Sequence, residues 1–229
     1  MSGEHEASHL SDAHVGTIGI PCDAEIVGTI IGRYDVSCWG PMEKERAAYI
    51  ELRDVIAVLE AMGHGESLHR LARMRQELAR YPLERKWVDT ANNVVTTVGK
   101  NHVLDTELAG SAYTAAWFLA LISLTGFSTA PVVADTMASH TGWAEDQNYT
   151  QGTRPAPSFS AASAGSKTTS TAVVFSINAT TTLKGAFLTT VSTKGGTTGT
   201  LYSAGLFTGG DQPAVNGNTL NVTYTSTLT

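Results

Sequence analysis

The chain changes chemical character near Gly110, and that change constrains its fold more than any single motif. Residues 1–109 hold 17 acids and 11 bases, with apolar residues recurring at helical spacing. From 111 to 229 only Asp135, Glu145, Asp146, Arg154, Lys167, Lys184, Lys194 and Asp211 are charged, among abundant Thr, Ser and Gly. The apolar period there falls to two, the period of a half-buried strand. A surface so poor in charge suits contact with other proteins and offers little to acid–base chemistry.

At 229 residues the chain can form one large β domain with an appendage, and a hydrophobic share of 42% argues against wholesale disorder. The net charge of −6 and the scattered bases argue against nucleic-acid binding. Acids in the opening Met1-Ser-Gly-Glu-His-Glu6 are unlike a secretion signal, and the longest apolar run, Ala115–Ile122, is too short to span a bilayer. That run is expected to be a buried strand, with no membrane association. Cys22 and Cys38 are expected to be reduced thiols of a protein assembled in the cytoplasm.

Three regions are expected. Residues 1–40 read as an N-terminal arm: a mobile tail to His14, then two short strands suggested by Val15-Gly-Thr-Ile-Gly-Ile20 and Val27-Gly-Thr-Ile-Ile-Gly32 around Pro21. Residues 41–87 read as a helical hairpin. Its first stripe is Ala48, Leu52, Val55, Leu59 and Met62, its second Leu68, Leu71, Met74, Leu78 and Tyr81, with Gly63-His-Gly65 between them. Residues 88–229 read as an antiparallel β-sandwich or jelly-roll-like domain, with Val94–Val98 extended and a helix at about 99–109. Its strand runs lie at 173–177, 183–189, 201–207 and 220–228, separated by turns at Lys194-Gly-Gly, Gly209-Gly-Asp211 and Asn216-Gly-Asn218. Ala130–Pro157 is expected to be an ordered surface loop. The fold is therefore expected to be mainly β.

Candidate chemistry is sparse. His5, His9 and His14 have metal-like spacing, but on a tail without fixed geometry, so no metal or other cofactor is expected. Asp135, Ser139 and His140 are close in sequence, yet a triad needs an oxyanion hole and spatial positioning that proximity does not supply. Glu145 and Asp146 are adjacent and adjacent side chains usually point apart, so the few acids after Gly110 offer no preferred glycosidase pair. Lys194-Gly-Gly-Thr-Thr-Gly199 lacks the order of a phosphate loop. No catalytic residue is expected. The candidate partner contacts are Trp143, Tyr149 and Arg154, the large side chains of the long loop, with a core or loop-anchoring role the favoured reading of Trp143.

Several segments resemble a family of virion structural proteins of short-tailed bacteriophages. They are Asn93-Val-Val-Thr-Thr-Val-Gly-Lys-Asn-His-Val-Leu-Asp105, Leu108-Ala-Gly-Ser-Ala-Tyr-Thr-Ala-Ala-Trp117, Asp135-Thr-Met-Ala-Ser-His-Thr-Gly-Trp143 and Thr153-Arg-Pro155. Phe175-Ser-Ile-Asn-Ala-Thr180, Lys184-Gly-Ala-Phe187 and Gly199-Thr-Leu-Tyr-Ser-Ala-Gly-Leu-Phe207 complete the set, so the resemblance spans about residues 88–229. It implies a virion component assembled in the host cytoplasm, without catalytic residues. Within that class the expected role is a head decoration (cement) protein whose partners are the major capsid protein and copies of itself. The alternatives are a tail-fibre or receptor-binding protein that holds a host glycan, and, from the enzyme class, an envelope polysaccharide hydrolase.

Overall fold

The computed structural model describes residues 30–62, 68–108 and 117–228. The architecture is mainly β: the described residues form ten antiparallel strands in one sheet, with three α-helices. The strands are β1 (Ile30–Pro41), β2 (Leu83–Val95), β3 (Phe118–Ser123), β4 (Glu145–Asp146), β5 (Ser166–Thr168), β6 (Val173–Ser176), β7 (Thr181–Thr189), β8 (Leu201–Phe207), β9 (Gln212–Ala214) and β10 (Thr219–Leu228). The helices are α1 (Arg46–Met62), α2 (Leu68–Leu78) and α3 (Thr97–Leu108).

The hydrogen-bonded order is β4-β3-β7-β8-β2-β1-β10-β5, with β6 also on β10 and β9 on β7. The two ends of this path meet. Tyr149, just past β4, bridges to Ile177, just past β6, and Thr150 N–H donates to Ser176 O at 2.8 Å. The expected sandwich is thus built from one continuous sheet curled around one core. Tyr34, Val36, Leu121, Phe175, Leu188 and Val222, from five different strands and both sides of the curl, belong to that single interior cluster.

Tight backbone approach permits the curl. A Cβ on Gly185 of β7 would strike the carbonyl oxygen of Gly205 of β8, and a Cβ on Gly205 would strike that of Asn92 of β2. Register shifts at Ile122/Ser123 and Leu188/Thr189 add local twist beside this glycine row. The outer face of β3, β7 and β8 is buried in turn, because the 124–144 segment lays Met137 and Trp143 over Ile122, Phe187 and Ala204.

The N-terminal region differs from expectation. Ile30–Pro41 is no arm: it is a strand between β2 and β10, paired along its length from Ile30↔Leu228 to Trp39↔Thr219. Its alternation of Tyr34, Val36 and Cys38 inward against Arg33, Asp35 and Ser37 outward is what places it there. The tail, the first expected strand, Cys22 and the His5/His9/His14 group lie outside the described residues. Cys38 is a free buried thiol, and burial pushes its pKa up to about 12, with Lys86 pulling the other way.

The helical hairpin is present, and it forms the connection between the adjacent strands β1 and β2. Its expected end at residue 87 falls inside β2, because Trp87 already pairs with Cys38. In α1 the inward stripe is Tyr49, Leu52, Ile56 and Leu59, whereas Ala48 and Val55 face solvent. Both sides of this helix are apolar, so spacing alone did not select the buried one. In α2 the expected Leu71, Met74 and Leu78 do face inward; Leu68 and the Gly63–Gly65 turn cannot be placed, being outside the described side chains. Tyr49 meets Tyr81 edge-on at 5.7 Å, and Arg75 bonds Glu60 at 2.5 Å. Arg53 fastens α1 to the sheet, donating to Ile177 O at 3.1 Å and Asn216 Oδ1 at 2.9 Å.

Extended structure expected over Val94–Val98 stops at Val95. Thr96 caps the helix instead, its Oγ1 accepting from Gly99 N–H at 3.1 Å and donating to Leu201 O. The turns at Gly195, Gly210 and Gly217 stand as expected, with φ of 71°, 87° and 90°. Among the described residues no helix is long and apolar enough to cross a membrane.

Because the glycine row sets the curl, Gly205→Ala is expected to destabilise the fold by about 1–3 kcal/mol, the usual cost of overpacking. Urea unfolding followed by tryptophan fluorescence measures this, and an exposed-site control such as Gly152→Ala should stay close to wild type.

Candidate functional site

The three candidate partner contacts are all buried: this corrects the partner-contact expectation at Tyr149 and Arg154, while Trp143 takes the loop-anchoring role favoured for it. Trp143 is 4% exposed, Tyr149 1% and Arg154 1%. Trp143 donates Nε1–H to Asp135 Oδ2 at 2.9 Å, stacks on His140 at 4.1 Å and packs against Phe187. It pins the long loop to the outer face of β7. Asp135 serves Trp143 and the Val132 N–H, while His140 Nδ1 meets Trp143 O at 3.0 Å. Asp135, Ser139 and His140 therefore form no relay.

Tyr149 and Arg154 belong to a buried polar knot. The Arg154 guanidinium bonds Glu145 at 2.8 Å and also donates to Val191 O at 3.0 Å and Gly196 O at 2.8 Å. Glu145 further accepts from Tyr149 OH at 3.0 Å and Gly195 N–H at 2.6 Å. Lys194 donates to Tyr149 O at 2.6 Å and sits 3.8 Å over the Tyr149 ring. Burial raises the Tyr149 pKa, and the neighbouring Glu145 raises it further. Burial also lowers the Lys194 pKa, against the pull of Glu145 and Asp146. Asp146 turns the other way, to Thr181 and Asn148. The knot joins the 145–154 segment to the 191–196 turn, and every strong donor and acceptor in it is used internally.

The same holds for the remaining charges after Gly110. Lys184 pairs with Asp211 at 2.5 Å and lies 4.6 Å over Phe127, and Lys167 donates to Ser160 O at 3.0 Å. Before Gly110, Asp89 closes the β8–β9 turn. Burial would raise its pKa, but hydrogen bonds from the Thr90 and Gly209 N–H groups, Gln212 and Thr208 outweigh that and lower it. Among the described residues no three His, Cys, Asp or Glu side chains gather as metal ligands would.

Two features remain open. One is an apolar cleft of about 940 Å³ between α3 and the β5–β10 end of the sheet, lined among others by Val103, Trp117, Phe159, Tyr202 and Leu228. The other is the outer face of β2, β1, β10 and the β5/β6 pair. Here side chains align in cross-strand rows: Asn92, Arg33, Thr225 and Thr168; Thr90, Asp35 and Thr223; Val88, Ser37, Asn221 and Val174. Its central charges cancel, because Arg33 bonds Asp35 at 2.7 Å. Unlike the β3-β7-β8 face, it is covered by no loop among the described residues: Val88 is 55% exposed and Val174 44%. It has no net charge along these rows, is rich in short hydroxyls and amides, and holds a hollow of about 420 Å³ beside Gly32, Arg33 and Asn92. The neutral alternation of β10 announced it; the contribution of β1 was hidden, because strand order is non-local.

Comparison with protein-family models, with curated proteins and with solved structures found no match.

Breaking the buried pair leaves one charge uncompensated. Glu145→Gln or Arg154→Met is expected to cost about 3–5 kcal/mol, and the double variant less than the sum; denaturant unfolding of the cycle measures it. For Asp89 the folded pKa lies below the unfolded value of about 3.9, so its stabilisation is full above that pH and is lost as pH falls. Unfolding curves for wild type and Asp89→Asn should therefore differ at pH 7 and converge in acid.

Proposed function

We propose that this chain is a bacteriophage virion structural protein, a head decoration (cement) protein that bridges neighbouring capsid subunits and contacts its own copies. The observation that carries this reading is the four-strand face that no described segment covers. A face of neutral hydroxyls and amides flanked by exposed valines can be desolvated without stranding a charge, since Arg33 and Asp35 already neutralise each other. Its projected area is on the order of 500 Å², taking strands about 4.8 Å apart and about 3.4 Å per residue. That is a large share of the ~800 Å² per partner in a standard interface. Repetition over a shell multiplies such modest contacts by avidity.

The resemblance of residues 88–229 to short-tailed phage virion proteins supports the same class. The glycan-binding alternative relied on loop aromatics, and Trp143 and Tyr149 are both committed to the interior. The hydrolase alternative relied on Glu145 and Asp146, which are consumed by Arg154, Tyr149, Thr181 and Asn148.

Two measurements test the proposal. Quantitative mass spectrometry of purified particles should find copies on the order of hundreds per virion, as lattice-wide binding requires; a dozen or fewer would overturn it in favour of the tail. Val88→Lys with Asn221→Lys should leave unfolding unchanged and weaken capsid binding at least about tenfold, the equivalent of roughly 1.4 kcal/mol. Unaltered binding would remove the face from the interface.

A further inference from the structure

At the end of the sheet beneath α1, side chains from β2 and from the turn leading into β10 converge over a glycine on β1 between them. Gly40 of β1 pairs with Glu84 of β2, and the register that sets Trp39 against Thr219 brings Asn218 alongside Gly40 from the other side. Lys86 is the extra residue of a β2 bulge, since Arg85 pairs with Trp39 and Trp87 with Cys38. Freed from the ladder's alternation, it reaches across the row.

The space above Gly40 shows how close these groups come. A Cβ there would strike Asn218 Nδ2, and it would lie 3.2 Å from Lys86 Cε and 3.3 Å from Asn218 Cγ. The Lys86 ammonium is ion-paired to Glu84. Asn218 is 3% exposed. Its Oδ1 accepts from Val215 N–H at 3.0 Å, while its Nδ2 is buried with no hydrogen-bond partner among the described residues. A primary amine, a carboxylate on that amine, an amide carbonyl held by a backbone N–H and an unbonded amide nitrogen thus share one site.

We propose that Lys86 and Asn218 join in an intramolecular isopeptide bond, with Glu84 as the proton-transfer group. Glu84 takes one proton from the Lys86 ammonium, and the amine adds to Cγ of Asn218. The new C–N bond pushes the carbonyl pair onto Oδ1, where the Val215 N–H meets the developing charge. The attacking nitrogen gives its second proton to Nδ2. Collapse then re-forms the carbonyl and breaks the Cγ–Nδ2 bond. The departing ammonia takes the proton held by Glu84 and leaves as ammonium, which regenerates the carboxylate. One cation is consumed and one released, and no oxidant or cofactor enters.

Each part has a physical reason. Fixing the amine on β2 and the amide at the entry to β10, on either side of β1, supplies the effective concentration that the same pair lacks in solution. Glycine at position 40 leaves the path open, where any side chain would stand between the reactants. Loss of Nδ2 removes a buried donor that has no acceptor. The product ties β2 to β10 across β1. This inference is independent of the virion reading.

Intact-mass measurement and peptide mapping of the purified full-length chain test it. The expected result is a mass below that of the sequence by one ammonia, and a branched peptide joining Lys86 to Asn218. Lys86→Arg keeps the cation and is expected to restore the full mass. Glu84→Gln is expected to leave most of the folded chain unlinked. A wild-type chain that unfolds cooperatively yet yields linear peptides at both positions would overturn the proposal. So would an ammonia loss that maps to Asn216-Gly217, where cyclisation of the asparagine accounts for it.

Discussion

The pairing of β1 with both β2 and β10 is the interaction on which the rest of the structure depends. From Gly32 to Trp39 this strand is hydrogen-bonded on both sides. It supplies Tyr34, Val36 and Cys38 to the core and Arg33, Asp35 and Ser37 to the open face. Without it the sheet would break into the β3-β7-β8-β2 part and the β10 part, and the interior shared by both would be opened. Tyr34 secures this junction from within. Its ring lies 4.8 Å from that of Tyr224, and its hydroxyl meets Ser203 Oγ at 2.8 Å, linking β1, β10 and β8. Burial, with Tyr224 close by, raises the Tyr34 pKa well above its ordinary value and keeps it a neutral hydrogen-bonding group.

The scarcity of charge after Gly110 has a structural counterpart: every charged side chain kept there is bonded. Arg154 and Glu145 tie two loops together, Asp146 and Asp135 hold the Thr181 and Trp143 anchors, and Lys167, Lys184, Lys194 and Asp211 find carbonyls or one another. The polar side chains that remain on the open sheet face are short and mostly neutral. A single principle covers both: charge is retained where geometry satisfies it and removed where a surface is left bare.

What the sequence disclosed and what it hid divide along local and non-local lines. Strands β6, β7, β8 and β10 were legible because alternation is written within ten residues, and the turns at Gly195, Gly210 and Gly217 because positive φ selects glycine. The α3 helix was legible from Leu104, Leu108 and a following glycine, but its start was not, since the cap at Thr96 depends on Leu201, a residue 105 positions away. The role of β1 was hidden because a strand does not name its neighbours. Arg154 and Tyr149 looked like surface groups because a long loop with large side chains resembles a contact site. The signal that could have corrected this is that both sit near acids in a half of the chain that has almost none.

The β1–β10 ladder also sets an order in time. Ile30 pairs with Leu228, so the first described strand waits for about two hundred further residues to be synthesised before its ladder with β10 can form. Until then its neighbour β2 and the helical hairpin between them can form, but Tyr34, Val36 and Cys38 have no closed interior to occupy. A chain dominated by such distant pairings folds slowly and exposes strand edges while it waits. Closure of this fold therefore follows the synthesis of β10, and the chain before that point is the state in which its edges most need protection.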